Sequence, residues 1–188
     1  MRIPKIFNSL IILVAICANL SVAQAADQSA AVNTVQDFYK RYLASDFSKM
    51  PTKARPKIAL SKAFAKEIKR SDVDCKKYGE GPCGWGADGD EYLDAQEIAP
   101  DLSYSNSGIS IKEISLGTVQ VKLNVYPSEK SAGDYYNKTI TYKIIVENGK
   151  YLVDDMAYSD GISARQRLAE ERAYIRANPA PKPSKINK

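Results

Sequence analysis

Apolar residues recur along this chain with two different periods, and the change from one to the other divides it in half. From Ala31 to Leu43 the apolar positions Val32, Val35, Phe38, Tyr39, Tyr42 and Leu43 are spaced by threes and fours, which predicts a helix with one core-facing side. Ser45-Asp46 ends it, and Met50 to Pro56 is a basic, proline-marked connection. Helical spacing resumes from Ile58 to Arg70 through Leu60, Phe64 and Ile68, with alanines adding propensity. Ser71 to Asp90 reads as a glycine-rich loop, and Glu91 to Ile98 as one helical turn or an edge strand.

Beyond residue 108 the period falls to two. Ile109 and Ile111 open one strand, and Val119, Val121, Leu123 and Val125 form a second that Pro127 stops. Ile140, Tyr142, Ile144 and Val146 form a third, and Asn148-Gly149 leads directly into Tyr151, Leu152 and Val153. Asn-Gly between alternating runs predicts a tight hairpin, because both central residues accept positive φ. Residues 164–177 are a charged last helix after Gly161, and 178–188 form a Pro/Lys-rich, disordered or extended tail. Two one-sided helices and a one-sided antiparallel sheet must cover each other. The expected fold is therefore α+β, with the helices in the hollow of a curved sheet like the cone of the nuclear-transport-factor-like and cystatin-like folds.

Residues 1–25 stand apart from this pattern. Arg2 and Lys5 precede an apolar run from Leu10 to Ala18, and Ala23-Gln24-Ala25 offers small residues for cleavage, which together read as a secretory signal peptide. The run is short of the roughly 20 apolar residues a membrane span needs. Ile16 before Cys17 is a poor lipidation context, so the expectation is a soluble periplasmic protein without a stable membrane anchor. One domain then spans 26–177. Loss of Arg2 and Lys5 lowers the formal charge of +5 to about +3. The lysines are scattered among acids, so a nucleic-acid partner is not expected.

The mature chain keeps Cys75 and Cys83, an even pair in an oxidising compartment, which predicts a disulfide. The chain contains no histidine, and redox pairs are normally spaced by two residues, so neither a metal nor thiol chemistry is expected there. No cofactor is expected.

Three segments carry a resemblance: Val35-Gln36-Asp37-Phe38-Tyr39, the run Glu91 to Glu97, and the run Lys150 to Tyr158 before the final helix. In order and spacing they resemble a family of bacterial periplasmic proteins and lipoproteins known as domain of unknown function 3828. The resemblance covers roughly residues 30 to 175. It implies the nuclear-transport-factor-like fold and supplies no catalytic residues. Some of its members are similar to immunity proteins that neutralise peptidoglycan-attacking toxins delivered by type VI secretion.

Candidate chemistry falls in three places. The acidic run Asp88, Asp90, Glu91, Asp94 and Glu97 invites a calcium loop, but counting from Asp88 puts Tyr92 and Leu93 where an EF-hand needs a ligand and a glycine. With Trp85, the only tryptophan, the residues Asp88, Asp90, Asp94 and Gln96 are instead candidates for a partner-binding surface. Trp85 is either such an anchor or a cap on the core, and its burial decides. Phe38, Tyr42 and Tyr142, with Asp154 and Asp155, are candidates for a pocket inside the cone. In a strand neighbours point to opposite faces, so one of the two aspartates would face the hollow or pack beneath a helix and the other would face water; the inner one would be a base of raised pKa or would be satisfied by backbone donors or by Arg165 or Arg167. The leading expectation is thus a non-enzymatic periplasmic binding or inhibitor protein with a protein partner, such as an immunity protein. A small-ligand carrier comes second and an acid-base enzyme third. A filled cone favours the first, a deep apolar hollow the second, and a hollow with an unpaired carboxylate the third.

Overall fold

The computed structural model describes residues 30–44, 49–51, 54–79, 81–87, 89–129 and 134–180. The signal-peptide and lipidation readings, Asp88 and the tail beyond residue 180 lie outside them. The first helix, α1, covers residues 30–42, and α2 spans Lys62–Tyr78. Four strands follow, β1 (Ser110–Ser115), β2 (Thr118–Asn124), β3 (Asn137–Glu147) and β4 (Lys150–Ala157), and α3 (Ala164–Ala177) comes last. The strands pair antiparallel in the order β1-β2-β3-β4, a meander. The architecture is α+β, as the change of period predicts. Asn148 and Gly149, at φ 54 and 73, make the predicted β3–β4 turn.

α2 departs from its sequence reading at both ends. Residues 58–60 are extended and run parallel to β4, with Ser61 N donating to Val153 O at 2.8 Å and Val153 N donating to Ala59 O at 2.9 Å. This covers the outer edge of β4, while β1 forms the sheet's other edge. Ser61 then caps the helix, its Oγ accepting from Phe64 N at 3.0 Å. At the other end the helix continues through residues 71–78, which read as loop. Their buried face carries Ser71 and Asp74, so apolar spacing could not reveal it.

Those polar residues are matched by α3, which runs alongside α2 in the same direction. Ser71 Oγ donates to Glu171 at 3.0 Å, Arg172 pairs with Glu67 at 2.8 Å, and Arg176 pairs with Asp74 at 2.6 Å. Cys75 in the last turn of α2 is joined to Cys83, with Cα atoms 5.7 Å apart, so the following loop is pinned to the helix end. Among the described residues no helix is long and apolar enough to cross a membrane.

The hollow between α1 and the sheet is filled. Phe38, Tyr39 and Tyr42 from α1 and Tyr142 from β3 are at most 3% exposed and pack with Tyr92. Tyr39 Oη donates to Tyr92 O at 2.6 Å and lies 2.8 Å from Tyr142 Oη, so the buried hydroxyls satisfy one another. Phe38, Tyr42 and Tyr142 are therefore buried core residues, packed ring against ring between helix and sheet, and border neither of the two openings described below.

Replacing Cys75 and Cys83 by serine should lower stability by about 2–3 kcal/mol, the chain-entropy value for so short a loop. Urea unfolding of the variant and the oxidised wild type checks this, and an unchanged midpoint would defeat it.

Candidate functional site

Among the described residues an open cleft of about 870 Å³ lies outside the cone. One wall is the loop from Gly84 to Glu97, and the facing wall is the outer side of α3 with Arg167, Glu170, Glu171 and Tyr174. Tyr135, Tyr136 and Lys138, ahead of and at the start of β3, close a third side.

Glu171 holds two of these walls together. Both of its carboxylate oxygens accept from Gly84 N at 3.0 Å, directly after the disulfide, while Ser71 fixes the same group from α2. Gly86 sits at φ 76, and a Cβ there would fall 2.7 Å from Glu91 Oε2, so the loop folds tightly over that carboxylate. The segment 91–98 is neither a helical turn nor an edge strand. It is a series of turns closed by a bridge between Asp90 and Ala95, with Asp94 at φ 51.

Trp85 is half-buried and settles between its two readings. Its ring meets Phe64 edge-on at 5.2 Å, so it caps the core, and the same side chain lines the cleft. Asp90, Asp94 and Gln96 line the cleft as well. Asp90 is also a fastening, accepting from Tyr42 Oη at 2.6 Å and pairing with Arg55 at 2.9 Å. Burial raises the Asp90 carboxyl above its usual range, against the opposing pull of Tyr42, the Tyr92 amide and Arg55. Burial likewise raises Glu91, with a hydrogen bond from Trp85 pulling the other way. Burial and the nearby Asp90 charge hold Tyr42 well above the ordinary phenol value, so it remains a donor.

Asp154 and Asp155 lie away from this cleft, and Asp155 borders a second, smaller opening of about 300 Å³ with Lys143 and Met156. Lys143 lies opposite Asp155 and Ile144 opposite Val153, so Asp154 is the extra residue of a β-bulge. The bulge breaks the expected alternation, burying Val153 and Met156 and turning both half-buried carboxylates towards α3. Asp154 Oδ1 accepts from Arg165 at 2.6 Å and from Ser61 Oγ at 2.7 Å. Asp155 Oδ1 accepts from Arg165 N at 3.1 Å, in the first turn of α3, where the helix dipole favours negative charge. The pair thus anchors α3, with Arg165 bonded to both acids and neither carboxylate facing the hollow.

Four cleft residues carry no signal in the strand and helix patterns: Tyr135, Tyr136, Glu170 and Tyr174. The exposed Tyr174, on an otherwise charged helix face, and the adjacent tyrosines 135 and 136 between strands were the available hints. Among the described residues no three histidine, cysteine, aspartate or glutamate side chains are grouped to hold a metal ion.

Two measurements check this geometry. Asp154→Ala should cost about 1–3 kcal/mol in denaturant unfolding, since it removes charge-assisted bonds that join α2, β4 and α3; a loss below about 0.5 kcal/mol would contradict the anchoring role. The second concerns pH. Because Asp90 and Glu91 are raised above 3.8 and 4.5, the stability they supply is complete below those values and is lost as pH rises through the raised ones. Glu91→Gln, which cannot ionise, should therefore improve relative to wild type as pH rises above about 4.5. A stability difference independent of pH would refute this.

No family model matches the chain, and no curated protein matches it. Among solved structures the chain is similar to a protein of unknown function from Bacteroides thetaiotaomicron, at 21% identity and a TM-score of 0.47, over 76% of this chain and 98% of that one.

Proposed function

We propose that the protein is an exported, non-enzymatic binding or inhibitor protein that holds a protein partner in the cleft between the 84–97 loop and α3. The supporting observation is where space is left: the cone is packed with aromatic side chains, whereas about 870 Å³ lies open beside the disulfide-pinned loop. A ligand carrier would use the filled hollow, and an acid-base enzyme would need Asp154 or Asp155 released from α3. The disulfide fits an oxidising compartment such as the periplasm. The motif resemblance to family 3828 gives the reading its particular form, an immunity protein whose target is a peptidoglycan-attacking toxin of type VI secretion.

Capture of envelope and secreted proteins from the protein's own host tests this. Tyr135 and Tyr174 are 74% and 68% exposed, so Tyr135→Ala and Tyr174→Ala remove cleft surface without touching the core. A partner retained by wild type and by Leu116→Ala, outside the cleft, should be lost at least about tenfold in the two tyrosine variants. Equal capture by all four proteins would overturn the reading.

A further inference from the structure

We propose that the cleft is built for a cationic stretch of polypeptide, laid between tyrosine rings with its lysine or arginine heads among carboxylates. This rests on the partner-binding reading above and names the chemistry of what is bound. The cleft has the volume of sites that enclose drug-sized ligands, enough for a short run of residues. Tyr135 and Tyr174 stand open to solvent on two of its sides, Tyr135 with only its edge-on contact to Tyr136 at 5.0 Å and Lys138 beside it, a high exposure for large rings. Rings so placed accept ammonium or guanidinium groups on their faces, and Lys138 already does so over Tyr135 at 5.5 Å.

Charge selects the occupant. The whole chain is formally +5, yet the cleft wall carries Asp90, Glu91, Asp94, Glu97, Glu170 and Glu171 against Lys138 and Arg167. Arg167 is paired with Asp160 at 2.7 Å and lies over Tyr158 at 4.7 Å, so its charge is already matched. Asp90 and Glu171 are engaged across the fold, while Glu97 and Glu170 are exposed residues of the cleft wall, Glu170 accepting only from Gln166 one turn earlier on its own helix at 2.8 Å. An acidic recess in a basic molecule draws a basic segment and repels an acidic one.

Trp85 lines the cleft and is the only tryptophan, so its fluorescence reports occupancy directly. The purified protein is titrated with oligo-lysine and oligo-arginine peptides and with an oligo-glutamate peptide of the same length. The expected result is a saturable change with the basic peptides alone, weakened at least about tenfold between about 20 and about 300 mM salt. Glu97→Lys combined with Glu170→Lys should weaken binding at least about tenfold, and Tyr174→Ala severalfold. A matching Glu97→Gln, Glu170→Gln variant, with an unfolding midpoint like that of wild type, keeps the result independent of folding. No saturable change with basic peptides, or binding indifferent to both double variants, overturns the proposal. A concentration-dependent shift without peptide also overturns it, assigning the cleft to a second copy of the chain. Host-partner capture that depends on the cleft while basic peptides fail would reject the cationic chemistry alone. Peptide binding without any captured partner would reject the earlier reading alone.

Discussion

The contact between Arg165 and the bulge at Asp154 is the constraint on which the arrangement depends. One guanidinium reaches both the backbone oxygen and the carboxylate of Asp154, each at 2.6 Å, and the same carboxylate takes the Ser61 hydroxyl at the start of α2. Both α3, which walls the cleft, and α2, whose end carries the disulfide loop, are therefore indexed to one irregular residue of β4. From that point α2 and α3 run together through Glu67–Arg172 and Asp74–Arg176, and their far ends carry the disulfide loop and Tyr174. The ion pairs set the alignment of the two helices, while the apolar packing beneath supplies the larger share of stability.

Polarity inside the core has a related function. Tyrosines in place of phenylalanines would leave hydroxyls stranded, but here each buried hydroxyl has a fixed acceptor: Tyr39 on the Tyr92 carbonyl, Tyr142 on Tyr39, and Tyr42 on Asp90. Two of these three bonds end on the 90–92 segment. The aromatic core is thus also the support that keeps the acidic wall of the cleft in position, linking packing in the hollow to geometry at the surface.

Much of this was legible in the sequence. Apolar spacing located α1 and the four strands, because in these segments side-chain polarity follows burial; Asn148-Gly149 marked the hairpin, and α3 read as a charged helix following Gly161. Apolar spacing failed over Ser71 to Tyr78, where the buried helical face is polar and its partners lie about a hundred residues away. It failed again at Asp154 and Asp155, since alternation presumes a regular strand and nothing local announces the bulge. Within the candidate site, Trp85 was legible as the lone tryptophan, Asp90 as part of the acidic run, and Asp94 and Gln96 through the motif resemblance, and the four do line one cleft. Glu170, Tyr174 and the tyrosines at 135 and 136 were not legible, because only the tertiary fold brings α3 and the approach to β3 beside that loop.

The outer edge of β1 has no strand partner among the described residues, and the order Ser110-Ile111-Lys112-Glu113-Ile114-Ser115, set against its own reversal, puts Lys112 opposite Glu113. Symmetry denies that complementarity. A two-fold axis through an antiparallel pair sets one residue opposite its own copy, so a register matching Lys112 with Glu113 would join side chains from opposite faces of the sheet. The two registers using most of the strand centre on Lys112 or on Glu113, and each places like charges directly across the seam. The palindrome that invites growth of the sheet by copies of itself is, through the parity of the strand, what discourages it.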